Sequence, residues 1–105
     1  MNILVTNSLT KSSLDFKFER SFGADESMKD YAKMAILLAL QKYPDNNPNH
    51  CNLIREKFEE LYGGYWICFR YKVGFGCYGI RYNNYVMCII YGDYKYIIFK
   101  SFDKK

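Results

Sequence analysis

YGGYWICFR (62–70), VGFGCYGIRY (73–82) and YVMCIIYGDYKYIIFK (85–100) decide the fold. Across them, aromatic and β-branched residues alternate with turn residues, the pattern of strands that fit a pleated, half-buried surface. The spacing predicts strands over 65–71, 75–82, 85–91 and 94–100, with Asn83-Asn84 and Gly92-Asp93 as two-residue hairpin turns. A sheet of this kind has edges, and an edge can accept another chain.

Helical patterns precede the strands. Phe16-Lys17-Phe18-Glu19-Arg20 alternates apolar and charged residues as a half-buried strand does, and Gly23 ends it. Asp25 or Ser27 is placed to cap a helix over 28–43, in which Met28, Tyr31, Ala35 and Leu38 recur at helical spacing. The continuous apolar run Ile36–Leu40 implies that this helix is buried on more than one side. Pro44-Asp45-Asn46-Asn47-Pro48 breaks it. A second, amphipathic helix reaches Tyr62, with Ile54, Phe58 and Leu61 on the face that covers the sheet, and Gly63-Gly64 ends it. The order is β-α-α-β-β-β-β, an α+β fold with two helices on an antiparallel sheet. Residues 1–15, polar and rich in Ser, Thr and Asn after the first five, read as a flexible extension to a domain over 16–105.

Composition narrows the function. At 105 residues with 50% apolar and 19% aromatic content, the chain is one domain and far too hydrophobic for disorder. So much β-sequence in a short chain calls for a partner to cover it. Trp66, Phe69, Tyr78, Tyr91, Tyr94 and Tyr96 are each ordinary core residues, but their joint density is that of an interface. The net charge of +4 is scattered among acidic residues, which is a solvated surface and not a nucleic-acid footprint. No stretch approaches the ~20 apolar residues of a membrane span. Cys51, Cys68, Cys77 and Cys88 form no C-x-x-C pair, and the last three fall in expected strands as small apolar side chains, consistent with a reducing, cytoplasmic setting.

Other motifs fail on context. Gly74-Phe75-Gly76-Cys77-Tyr78-Gly79 spells G-x-G-x-x-G, but the dinucleotide fingerprint needs a helix after it and strand residues follow instead. The same residues imitate the aromatic RNA-binding strand of an RRM only until Cys77 and Ile80, where aromatic rings should stand, and the element order is wrong. His50-Cys51 could supply two metal ligands, but nothing nearby completes a tetrahedral set, so no metal and no cofactor are expected. The single histidine cannot be placed beside a nucleophile, and no carboxylate pair sits among the strands, so the chain offers no enzyme site.

ALQKY (39–43), IREKFEELY (54–62), WICF (66–69), FGCY (75–78), the Gly92 turn and IIFKS (97–101) occur in an order that resembles the eight-kilodalton cytoplasmic dynein light chain. The resemblance covers residues 16 to 102, with short insertions near Asn46 and Gly74. It implies a homodimer in which one strand, Phe75–Tyr82 by position, crosses to complete the partner's sheet. It also implies a non-enzymatic hub, cytoplasmic and cytoskeleton-associated, as a motor subunit or dimerisation adaptor. Short motifs of a dynein intermediate chain or of other disordered proteins would add as an antiparallel strand, with no nucleic acid or membrane as partner. By position the peptide groove takes Phe75, Gly76, Cys77, Tyr78, Gly79, Ile80 and Arg81, with Asn47 and Pro48 at the start of the second helix. The dimer interface takes Trp66, Ile67, Phe75, Tyr78 and Tyr82.

Phe75, Gly76 and Tyr78 match the family pattern, and Cys77 replaces a serine-like residue. Gly79 lacks the β-branched side chain expected there, and Arg81 replaces a histidine. Where the family lets a client glutamine cap the second helix, Asn47-Pro48 is expected to cap its own helix and compete with it. Ile67 stands where the family has the histidine that makes its dimer pH-sensitive. These departures leave open a structural or tegument-like paralogue that keeps the dimer but has lost or altered motif binding.

Overall fold

A computed structural model describes residues 15–79 and 85–102. The elements are β1 (Lys17–Phe22), α1 (Glu26–Lys42), α2 (Pro48–Tyr62), β2 (Tyr65–Lys72), β3 (Val86–Tyr91) and β4 (Tyr94–Phe102). Asp25 starts α1 as its N-cap: its Oδ1 accepts from the Met28 N–H at 2.8 Å. Asn47 starts α2 in the same way, its Oδ1 accepting from the Asn49 N–H at 2.8 Å, with Pro48 in the first turn. Gly63 ends α2 at φ 70°, a conformation that costs a glycine little, and its N–H bonds to Glu59 O.

The strands form one antiparallel sheet in the order β1-β3-β4-β2. Gly92-Asp93 joins β3 to β4 across the Tyr91–Tyr94 pair, with positive φ at Gly92 alone, as a type II′ turn requires. Strand parity separates the faces. Met87, Ile89, Tyr96, Ile98 and Trp66 meet Ala32, Ala35, Ile36, Ile54 and Phe58 of the helices in the main core. Val86, Cys88 and Ile97 point to the opposite face, under Tyr71, Tyr78 and Phe99. The Tyr31 hydroxyl ties α1 to α2 by donating to Lys57 O at 3.0 Å.

One expectation, Leu61 on the face that covers the sheet, is corrected. The α1 stripe Met28-Ala32-Ala35-Ile36-Ala39 is buried and Leu37, Leu38 and Leu40 beside it are half-buried, while Met34 is 42% exposed. In α2 the buried stripe runs Ile54, Phe58 and on to Tyr62, which packs on Phe58 and Tyr31. Leu61 is left 56% exposed, because the i+4 position and not i+3 continues the buried row here. Within one chain the described residues 75–79 form no strand, so the described elements run β-α-α-β-β-β, and the crossing strand expected over 75–82 would need a second chain to pair with. After β2 the Phe75 N–H bonds back to Lys72 O in a turn, and Tyr78 then packs on the Val86, Cys88 and Ile97 face of the sheet. Ile80, Arg81 and Tyr82, the Asn83-Asn84 turn and the extension over 1–14 lie outside the described residues.

Candidate functional site

With β4 on one side only, the outer edge of β2 has no strand neighbour among the described residues. Where this edge meets the start of α2, a groove of about 490 Å³ opens. Asn46, Asn47 and Pro48 form one wall; Arg70, Tyr71 and Lys72 from the end of β2 form the other. Phe75, 76% exposed, overhangs it, and His50, Cys51 and Tyr94 make its floor.

The floor is fixed by a buried polar chain. His50 lies at the helical spacing of Ile54 and Phe58 and is 1% exposed. Its Nδ1 is 2.7 Å from Tyr43 O, a carbonyl that only accepts, so Nδ1 carries the proton. Nε2, 2.8 Å from the Tyr96 hydroxyl, therefore accepts from it. Burial holds the His50 imidazole below its ordinary value, with the nearby Arg70 charge adding to this against the pull of the Tyr43 carbonyl. Burial likewise holds the Tyr96 hydroxyl well above its ordinary value, partly offset by Arg70. Both ring nitrogens are thus committed, which removes His50 as a metal ligand in this arrangement. Beside it, the neighbouring Cys68 thiol holds the Cys51 thiol below its ordinary value, while Cys51 and burial hold Cys68 well above its own.

Arg70 crosses this floor. Its guanidinium lies 3.9 Å from the centre of the Tyr94 ring, and a terminal nitrogen reaches Asn46 Oδ1 at 3.4 Å. Arg70 Nε is buried without a hydrogen-bond partner among the described residues.

The residues expected at the groove separate into three places. Asn47, Pro48 and Phe75 line it. Gly76 packs on the Tyr71 ring, where an added Cβ would sit 2.9 Å from the ring, while Cys77 and Gly79 are exposed and a Cβ at Gly79 would meet no atom within 4 Å among the described residues. Tyr78 folds over the far face of its own sheet, its hydroxyl bonded to Cys88 Sγ. Of the expected interface residues, Ile67 is half-buried on that far face opposite Phe99. Trp66 is on the helix side, 1% exposed, with its indole N–H donating to Gly63 O, so a second chain has almost none of its surface left to cover. His50, Cys51, Arg70, Tyr71, Lys72 and Tyr94 were not singled out for the groove from sequence. The available signals were a histidine four residues before Ile54 and a charged residue at the inward parity of Trp66 and Cys68.

The family model for dynein light chain type 1 matches residues 19–101. The chain belongs to this family. No curated protein matches it by sequence. Among solved structures, this dynein light chain is similar to the dynein light chain-like domain of the Fasciola hepatica calcium binding protein FhCaBP2. The TM-score is 0.68 at 10% identity, covering 83% of this chain and 92% of that one. It is also similar to the dynein light chain-like domain of CsTAL3, with a TM-score of 0.65 at 10% identity, covering 83% and 93%. At that identity the likeness is one of fold.

Proposed function

We propose that this light chain is a non-enzymatic dimeric hub that binds short linear motifs of disordered partners by β-strand addition. The observation that carries the reading is the open outer edge of β2 beside the groove, with residues 73–79 forming no strand of their own sheet. In a dimer, Phe75–Tyr82 of one chain would pair with the β2 edge of the other, and a client would add beyond it. Main-chain hydrogen bonds would give affinity and alternate side chains would enter the groove. The far face supports a second copy as its cover, since Phe22 and Phe69 are 49% and 48% exposed there. Two grooves per dimer would hold two copies of a client side by side and raise avidity. Service on a dynein motor through its intermediate chain, or as a dimerisation adaptor elsewhere in the cytoplasm or on the cytoskeleton, fits this role.

A second reading, a structural paralogue with altered or lost motif binding, is favoured by one observation: Asn47 already caps α2 with its own side chain. Isothermal titration with a glutamine-containing light-chain motif peptide, alongside the mass in solution, separates the two. A dimer binding one peptide per chain supports the hub; a dimer binding nothing supports the paralogue; a monomer removes both.

A further inference from the structure

We propose that the groove at the start of α2 takes an anionic side chain of the client segment, a carboxylate held by Arg70 and Lys72, in place of a neutral amide. This rests on the hub reading and names what the groove selects.

The helix start has little to offer a neutral amide. A client carbonyl oxygen capping α2 would need a free N–H in the first turn. Pro48 has none, the Asn49 N–H is taken by Asn47 Oδ1 at 2.8 Å, and the His50 N–H by Asn47 O at 2.9 Å.

The charge is uncompensated. Arg70 and Lys72 are two residues apart on β2, so both project to the same side and both line the groove. No carboxylate lines it, and among the described residues none lies within 4.0 Å of either cation. His50 is neutral with both nitrogens committed, so Arg70 and Lys72 set the sign of the site.

Arg70 is also prepared for an acceptor. The guanidinium lies over the Tyr94 ring, one donor faces the Tyr96 hydroxyl oxygen, its bond to Asn46 is long at 3.4 Å, and Nε has no acceptor among the described residues. A buried donor left unmade is costly, and a planar fork whose remaining N–H groups exceed its two neutral acceptors matches a carboxylate in two parallel hydrogen bonds. A neutral glutamine, with one acceptor oxygen and an amino group facing two cations, matches it poorly.

The test is isothermal titration of the full chain with two light-chain motif peptides that differ only in a central glutamine or glutamate. The glutamate peptide is expected to bind about tenfold tighter at low salt. That preference should shrink as salt rises from roughly 0.05 to 0.5 M, because screening acts on the charged arm alone. Arg70→Gln should abolish the preference, with a thermal melt reporting whether the variant is folded. Lys72→Gln, at an exposed position, should halve it or better without touching the core. Equal or tighter binding of the glutamine peptide overturns the inference and leaves the hub reading standing. Binding of neither peptide overturns both. If Arg70→Gln does not fold, a preference indifferent to salt and to Lys72→Gln overturns the inference by itself.

Discussion

Replacing His50 by leucine breaks the buried polar chain at its centre, and the structure sets the size of the effect. His50 and Tyr96 are each 1% exposed and share a 2.8 Å hydrogen bond. In His50→Leu the apolar volume is roughly kept, but the Tyr96 hydroxyl loses its acceptor inside the core. Tyr43 O also loses its donor, although at a half-buried residue water can take that place. Leaving one buried hydroxyl unpaired costs about 1–3 kcal/mol, so a loss of about 2–3 kcal/mol is expected. Tyr96→Phe leaves the His50 Nε2 without a donor and should cost about 1–2 kcal/mol by the same reasoning. With both changed, neither buried group is orphaned, so the double variant should lose about 1–2 kcal/mol less than the sum of the singles. The assay is urea unfolding at pH 7.5 with the protein concentration held fixed, because association would otherwise shift the midpoint. At about 4–8 °C per kcal/mol for a domain of this size, His50→Leu should also lower Tm by about 10–20 °C. Additivity of the two single variants within about 0.3 kcal/mol would refute the shared bond.

Because burial holds the His50 pKa below its unfolded value, the unfolded chain takes up this proton first as pH falls. Stability is therefore full above the unfolded value of about 6.5 and declines below it towards the folded value. His50→Leu should flatten this slope in unfolding curves measured from pH 7.5 down to 5. Association should behave differently, since Ile67 puts no ionisable group on the far face at that position; sedimentation near pH 5 is expected to find dimers, and monomers would count against it. Asn47→Ala removes a cap worth about 1 kcal/mol and frees the Asn49 N–H. It should lower stability by that amount and tighten binding of a glutamine-centred peptide, and titration showing no gain would argue that self-capping does not compete with the client. A Cβ at Gly79 meets no atom within 4 Å among the described residues and Gly79→Val adds a strand-forming side chain, so it should strengthen dimer or peptide association by about 0.5–1 kcal/mol in sedimentation or titration; weaker association would mean that residue 79 does not enter a ladder.

The helices and four of the strands were legible because local rules fix them. Asp25, Asn47 and Gly63 act at helix ends through their own side chain or backbone, within a few residues of where they stand. The Gly92-Asp93 turn and the alternation of Val86–Tyr91 likewise need only neighbours. Leu61 was misplaced because i+3 and i+4 spacing compete for one stripe, and the contact of Tyr62 with Phe58 and Tyr31 decided between them. Phe75–Gly79 has strand composition, but composition cannot supply a neighbour, and within one chain no described strand pairs with it.

By itself, then, the sequence determined the α+β class, the two capped helices, the hairpin and the family, since each depends on residues close in the chain or on their order. The groove was decided only by tertiary structure. His50 and Tyr96 are 46 residues apart, and Arg70 and Asn46 are 24 apart. No local pattern states that a histidine will be neutral or that an arginine will lie against Tyr94 with no carboxylate beside it. Those properties arise when α2 is laid across the end of β2, because burial and juxtaposition, not residue type, set protonation state and hydrogen-bond partners.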